Sequence, residues 1–195
     1  PKPVRSSPSV SGTSVFFGCD DGNVYALNRF NGRVNWTFQT KNAIYAAPVL
    51  DEQTLYIGST DSTFYAINLK DGTLRWKYKI GAAVPGKFFS TAAVNEDKVI
   101  VGATDGCVYA FKKKDGTLSW KFQTQSAISS APVITKNFVY VGSQDSYLYA
   151  IDLETGKSDW NFKTAGRIKT NMALFGEYLV LASEAKNVYA FKTAK

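Results

Sequence analysis

Four aspartates recur at one place in a repeated sentence: Asp21, Asp61, Asp105 and Asp145. Four tryptophans, Trp36, Trp76, Trp120 and Trp160, recur at another, and they are all the tryptophans of the chain. Carboxylates gathered in one pocket could hold a metal or work as acid and base. Indoles gathered on one face could stack sugars or nucleobases. One copy per repeat argues against both, because it scatters each residue type instead of collecting it. A turn aspartate bonds its own backbone. A buried indole packs between neighbours while its N–H finds one acceptor. Turn aspartates and structural docking tryptophans are therefore expected. The chain has no histidine, which excludes His-based triads and zinc sites of the usual Cys/His type. No catalytic, metal-binding or cofactor-binding residue is assigned, and no cofactor is expected.

The elements that position these residues follow from the repeat. Residues 17–40 read FGCDDGNVYALNRFNGRVNWTFQT, and close copies stand at 57–80, 101–124 and 141–164. A fifth copy begins at Tyr178 and stops before a tryptophan. A period of about 40–45 residues with strand content points to a propeller, one four-stranded blade per repeat. The A strands are expected at 46–50 (AAPVL) and 130–134 (SAPVI). Apolar runs such as TLYIG and FVYVG read as B strands covered on both faces, FYAIN and LYAID as C strands. LRWKYKI alternates, with Trp76 and Tyr78 on one face and Arg75, Lys77 and Lys79 on the other: a half-buried D strand whose lysines discourage edge pairing. Asn31-Gly32, Asp71-Gly72 and Asp115-Gly116 mark C–D hairpins, with Thr155-Gly156 in the fourth copy. Ala26, Ala66, Ala110 and Ala150 keep a fixed distance to the tryptophans, a small residue matched to a large one.

The expected fold is all-β: one domain over 1–195, a β-propeller of five blades of ~40 residues, with units at about 6–45, 46–89, 90–129, 130–169 and 170–195. The last blade lacks its outer strand, and residues 1–5 are expected to lie along that edge. The alternative is a five-blade fragment of a larger propeller. The net charge of +7 reads as lysines spread over solvent faces, not as a nucleic-acid groove. Cys19 and Cys107 occupy different repeat positions and make no disulfide framework. No apolar run is long enough to cross a membrane as a helix.

The pattern Ala-x-(Asp/Asn)-x-x-x-Gly-x-x-x-Trp, seen as Ala150, Asp152, Gly156 and Trp160 and again from Ala26, Ala66 and Ala110, resembles the tryptophan-docking repeat of the quinoprotein-type (PQQ-like) β-propellers. Lys112 departs from the Asp/Asn position. The resemblance covers essentially the whole chain. Its catalytic members are eight-bladed dehydrogenases holding pyrroloquinoline quinone and calcium, with a disulfide between adjacent cysteines. This chain has no adjacent cysteines and no residues onto which that site carries over. The resemblance therefore implies the non-catalytic group: binding scaffolds, or appendages of kinases and adenylating enzymes. It also implies an exported, periplasmic or cell-surface setting.

The function expected is a non-enzymatic binding scaffold with a protein or peptide partner, monomeric or part of a larger chain. The alternative is a quinoprotein-type dehydrogenase fragment or a small-ligand or glycan binder. Function should sit where the copies differ. The largest difference is the expanded second D–A loop, residues 80–90 (IGAAVPGKFFS). Its Pro85-Gly86 turn would present Lys87, Phe88 and Phe89 beside Lys41 and Tyr45, with Arg167 and Lys169 in the corresponding later loop. Cations with aromatics suit a peptide or acidic ligand.

Overall fold

The computed structural model describes residues 2–81 and 86–193. Among them the chain forms five antiparallel sheets, four running A-B-C-D and the last A-B-C, in sequence order. Blade 1 holds β1 (Ser9–Ser11), β2 (Ser14–Gly18), β3 (Asn23–Asn28) and β4 (Val34–Gln39). Blade 2 holds β5 (Val49–Asp51), β6 (Thr54–Gly58), β7 (Thr63–Asn68) and β8 (Leu74–Lys79). Blade 3 holds β9 (Ala93–Val94), β10 (Lys98–Gly102), β11 (Cys107–Lys112) and β12 (Leu118–Gln123). Blade 4 holds β13 (Val133–Ile134), β14 (Phe138–Gly142), β15 (Tyr147–Asp152) and β16 (Ser158–Lys163). Blade 5 has three strands, β17 (Ala173–Phe175), β18 (Tyr178–Ala182) and β19 (Val188–Lys192).

Burial follows the pattern written in the strands. Every residue of β6 and β10 is buried, because B strands carry apolar side chains on both faces. In β8 Trp76 is buried while Arg75, Lys77 and Lys79 are exposed. The A strands are shorter than expected. They start at Val49 and Val133, after Pro48 and Pro132, since proline has no N–H to give to a ladder.

Each C–D pair sets an alanine directly opposite a tryptophan: Ala26 and Trp36, Ala66 and Trp76, Ala110 and Trp120, Ala150 and Trp160. The register then slips by one residue, so that Leu74 and not Arg75 faces Ile67. This recurring bulge twists the D strand locally. The C–D connections are longer than two-residue turns. Gly72 lies at φ +74°, in the left-handed region that glycine enters without strain.

Two compact units make up the chain. The first runs through Ala92 and includes Lys114–Gly116; the second comprises Ala93–Lys113 and residues from Thr117 onward. In the first, Phe16, Val24, Ile44, Leu55, Ile57 and Ile67 pack into one core between blades 1 and 2. In the second, one core joins blades 3 and 4 through Ile100, Val108, Val139 and Ile151, and another joins blades 4 and 5 through Tyr140, Leu148, Leu179 and Leu181. Residues 2–5 follow the course of a D–A loop against blade 1. The Pro3 carbonyl accepts the Asp20 N–H, as the Ala43 carbonyl accepts the Thr60 N–H one repeat later.

Candidate interaction surface

Two of the recurring aspartates, Asp61 and Asp145, tie the B–C turn of one blade to the D–A loop that precedes it. Asp61 accepts the Thr63 N–H at 2.8 Å through Oδ1. Through Oδ2 it accepts the Tyr65 hydroxyl at 2.7 Å and the Lys41 N–H at 2.9 Å. Asp145 repeats this with Tyr147, Tyr149 and the Gln125 N–H. Asp21 and Asp105 hold their own turns and Tyr25 and Tyr109 likewise. Burial, and then the bonded carboxylate, push the hydroxyls of Tyr65, Tyr109 and Tyr149 up from the ordinary tyrosine range. In blade 5 Ala185 replaces the aspartate, and the Tyr189 hydroxyl itself accepts the Ala165 N–H at 2.9 Å. The D-x-x-x-Y spacing in the sequence could have disclosed this tyrosine partner. These carboxylates are committed to backbone and phenol. Among the described residues no three His, Cys, Asp or Glu side chains come together as a metal site needs.

The tryptophans are held by the next blade. Trp36 Nε1 donates to the Leu69 carbonyl at 3.0 Å, and Trp120 Nε1 to that of Leu153 at 3.0 Å. A methyl group added at Gly72, Gly116 or Gly156 would run into the rings of Trp36, Trp76 or Trp120. Trp160 is half-buried, 5.9 Å from Tyr140 and 6.0 Å from Phe191 by ring centroids.

The expanded D–A loop resolves differently from the sequence expectation. Phe88 is fully buried. Its side chain lies against Gly58, at the place that Ile44, Ile128 and Ile168 take against Gly18, Gly102 and Gly142, and its ring is 5.5 Å from Phe64. Phe88 is thus a core plug, larger than its counterparts, and its assignment to a partner-binding rim is corrected. Pro85 lies outside the described residues; Gly86 is buried.

The residue after each plug differs from copy to copy, Tyr45, Phe89, Ser129 and Lys169, and Arg5 stands at the same repeat position; Arg5 and Lys169 are exposed, and Tyr45, Phe89 and Ser129 half-buried. Three of these come together in the first unit. Tyr45 and Phe89 stack with centroids 5.4 Å apart and planes 9° apart. The Arg5 guanidinium sits 5.9 Å from the Tyr45 centroid. Arg5 is itself paired with Asp20 at 2.8 Å, whose other oxygen, Oδ1, is buried without a hydrogen-bond partner. Lys41 and Lys87 are exposed on the same loops. In the second unit Ser129 accepts from Gln144 at 3.3 Å, and Lys169 pairs with Glu184 at 2.6 Å. Arg167 is exposed, and its carbonyl accepts the Glu184 N–H. Arg5–Asp20, Ser129–Gln144 and Lys169–Glu184 are the same pair of repeat positions, made complementary each time by different residues. The sequence expectation passed over Arg5, because its side of the repeat was not recognised as a D–A loop.

The chain is similar in fold to the crystal structure of BamB from Moraxella catarrhalis, with a TM-score of 0.83 and 16% identity over 98% of this chain and 62% of that one. It is equally similar to the crystal structure of the computationally designed Ika8 protein, with a TM-score of 0.82 and 20% identity over 95% of this chain and 57% of that one. The chain spans less than two thirds of either structure. No curated protein sequence matches it. At these identities the likeness is one of fold, an all-β propeller with blades of four strands and a last blade of three. A family model described as "Beta-alanine-activating enzyme, beta-propeller" matches residues 1–193, and the chain belongs to that β-propeller family.

Proposed function

We propose that this chain is a non-enzymatic recognition module of the PQQ-like propeller type, and that it binds a protein or peptide through the D–A loop rim of its first unit. The observation that carries the reading is the Arg5–Tyr45–Phe89 column. Successive repeats contribute a cation and two aromatic rings at one outward position, where the repeat itself demands no particular residue. Stacked aromatics beside a cation offer large contact area with little side-chain freedom to lose, the usual makings of a binding hot spot. The flanking Lys41 and Lys87 favour a partner with acidic groups near its own aromatic or aliphatic anchor. The family description places propellers of this kind in an enzyme that activates β-alanine. By that likeness the chain serves alongside an activating domain and recruits what that domain works on or with.

The test is partner capture with the wild-type chain, followed by affinity measurement with Tyr45→Ala and Phe89→Ala. Each change is expected to weaken binding by at least about tenfold, or about 1.4 kcal/mol, while the melting temperature stays near that of the parent. Unchanged affinity in both variants overturns the assignment. In parallel, adding pyrroloquinoline quinone and calcium is expected to give no saturable absorbance change. A stoichiometric complex would favour the dehydrogenase reading instead.

A further inference from the structure

The A–B and C–D turns lie at the opposite end of each blade from the rim described above, and they enclose a second kind of recess. In the first unit a groove of about 550 Å³ opens between blades 1 and 2. Thr13, Ser14 and Phe16 line it from blade 1, and Glu52, Gln53 and Lys70 from blade 2. Its walls are fixed by backbone bonds: Leu69 N–H donates to the Gln53 carbonyl, Arg29 N–H to that of Thr13, and the Trp36 indole to that of Leu69.

The repeat supplies an internal control. One groove of the second unit, between blades 3 and 4, has Lys98 at the place of Ser14 and Glu154 at the place of Lys70. There both carboxylate oxygens of Glu154 lie 2.7 Å from Lys98 Nζ, and the Lys98 side chain is only 9% exposed. Lysine is rarely so covered unless its charge is met. That groove is therefore closed by its own ammonium–carboxylate pair. In the first unit the long side chain at the strand start is reduced to a serine, whose hydroxyl accepts from Asn35 Nδ2 at 3.0 Å. The ammonium has moved to the turn, as Lys70. The neighbouring Asp71 is taken by its own turn, where Oδ1 accepts the N–H and the hydroxyl of Thr73.

We propose that the groove between blades 1 and 2 binds a small amino acid through its carboxylate, which meets Lys70 as Glu154 meets Lys98. The Ser14 and Thr13 hydroxyls are donors for the same carboxylate, and an ammonium–carboxylate contact is among the stronger hydrogen bonds available. Phe16 forms apolar wall for the ligand's methylene groups. Glu52, on the adjoining A–B turn of blade 2, attracts an amine on the same ligand. This site is independent of the D–A rim and does not rest on its assignment.

The test is a titration followed by backbone amide chemical shifts, with γ-aminobutyrate, butyrate and butylamine as probes. Saturable shifts are expected at Thr13, Ser14, Gln53 and Lys70, strongest for γ-aminobutyrate, weaker for butyrate and absent for butylamine. Lys70→Gln, a change at an exposed turn residue, is expected to weaken γ-aminobutyrate binding at least about tenfold. The double variant Ser14→Lys with Lys70→Glu rebuilds the pair of the second unit and should abolish the shifts by filling the groove. If that variant does not fold, Lys70→Gln alone decides. No saturable shift at these amides, equal shifts with butylamine, or shifts unaffected by Lys70→Gln would overturn the site. Equal binding of butyrate and γ-aminobutyrate would overturn the part given to Glu52.

Discussion

The indole of Trp36 lies so close over Gly72 of the following blade that a side chain on that glycine would collide with the ring. Gly72 and Gly32 share the same turn position and nearly the same φ, +74° and +69°, but a side chain at Gly32 would meet nothing within 4 Å. The pair separates two effects that usually come together. Gly32→Ala should cost only the left-handed backbone penalty, about 1–2 kcal/mol. Gly72→Ala adds overpacking against the ring, for a total of about 2–5 kcal/mol. Denaturant unfolding of the two variants measures the difference. Equal losses would mean that the Trp36 contact carries no weight.

Phe88 and Phe89 are adjacent in sequence and opposite in role. Phe88→Ala empties a fully buried site and should cost about 3–5 kcal/mol. Phe88→Ile restores the residue type of the other copies and should be much milder. Phe89→Ala removes one half of an outward stack and should cost less than about 1.5 kcal/mol. Thermal melts of the three variants order these effects.

The tyrosine–aspartate clamps predict the alkaline behaviour. Burial and the carboxylates of Asp61 and Asp145 raise the hydroxyls of Tyr65 and Tyr149 in the folded state above the unfolded value of about 10. Their contribution is therefore fully present below about pH 10 and is lost as pH rises toward the folded values. Stability should hold through neutral pH and fall above about pH 10, with the Tyr65 and Tyr149 hydroxyls, followed residue by residue, ionising together with unfolding. Tyr65→Phe removes the hydrogen bond and should cost about 1–2 kcal/mol at neutral pH, with a shallower alkaline decline. Tyrosinate forming at Tyr65 or Tyr149 themselves in the native protein near pH 10 would contradict the clamp.

Cys19 and Cys107 are free and buried, and burial raises both thiols above the ordinary range. A thiol reacts as its thiolate, which attacks the reagent's disulfide and displaces its other sulfur as a thiolate, and only where the reagent can reach it. Both should resist disulfide-exchange reagents in the native protein and react once it unfolds. Rapid reaction of either under native conditions would contradict this.

How much of this could be read beforehand depended on periodicity. Strands, turns and the alanine–tryptophan matches repeat in register, so the sequence disclosed them, and the propeller follows from their spacing. Phe88 was misplaced because the loop expansion breaks that register. Counting back from Ala92, the counterpart of Pro48, would have aligned Phe88 with Ile44 and marked it as a plug. The Arg5–Tyr45–Phe89 column could not be read in this way. It joins positions a full repeat apart whose residues share no type, and only the folded loops bring them into line. The groove at Ser14 and Lys70 was hidden for the same reason: its emptiness shows only beside the filled counterpart at Lys98 and Glu154.

The tryptophan joints also give the molecule a direction. Trp36, Trp76 and Trp120 each wait for a glycine turn that lies about one repeat closer to the C-terminus. On a ribosome, where the N-terminal end emerges first, a finished blade must leave its indole uncovered until the next blade has been made. Each newly completed blade then seals the one before it. Synthesis of this chain should thus advance as a zipper with a single exposed aromatic at its moving end, and a stall at any blade would leave that aromatic as the sticky point for chaperones.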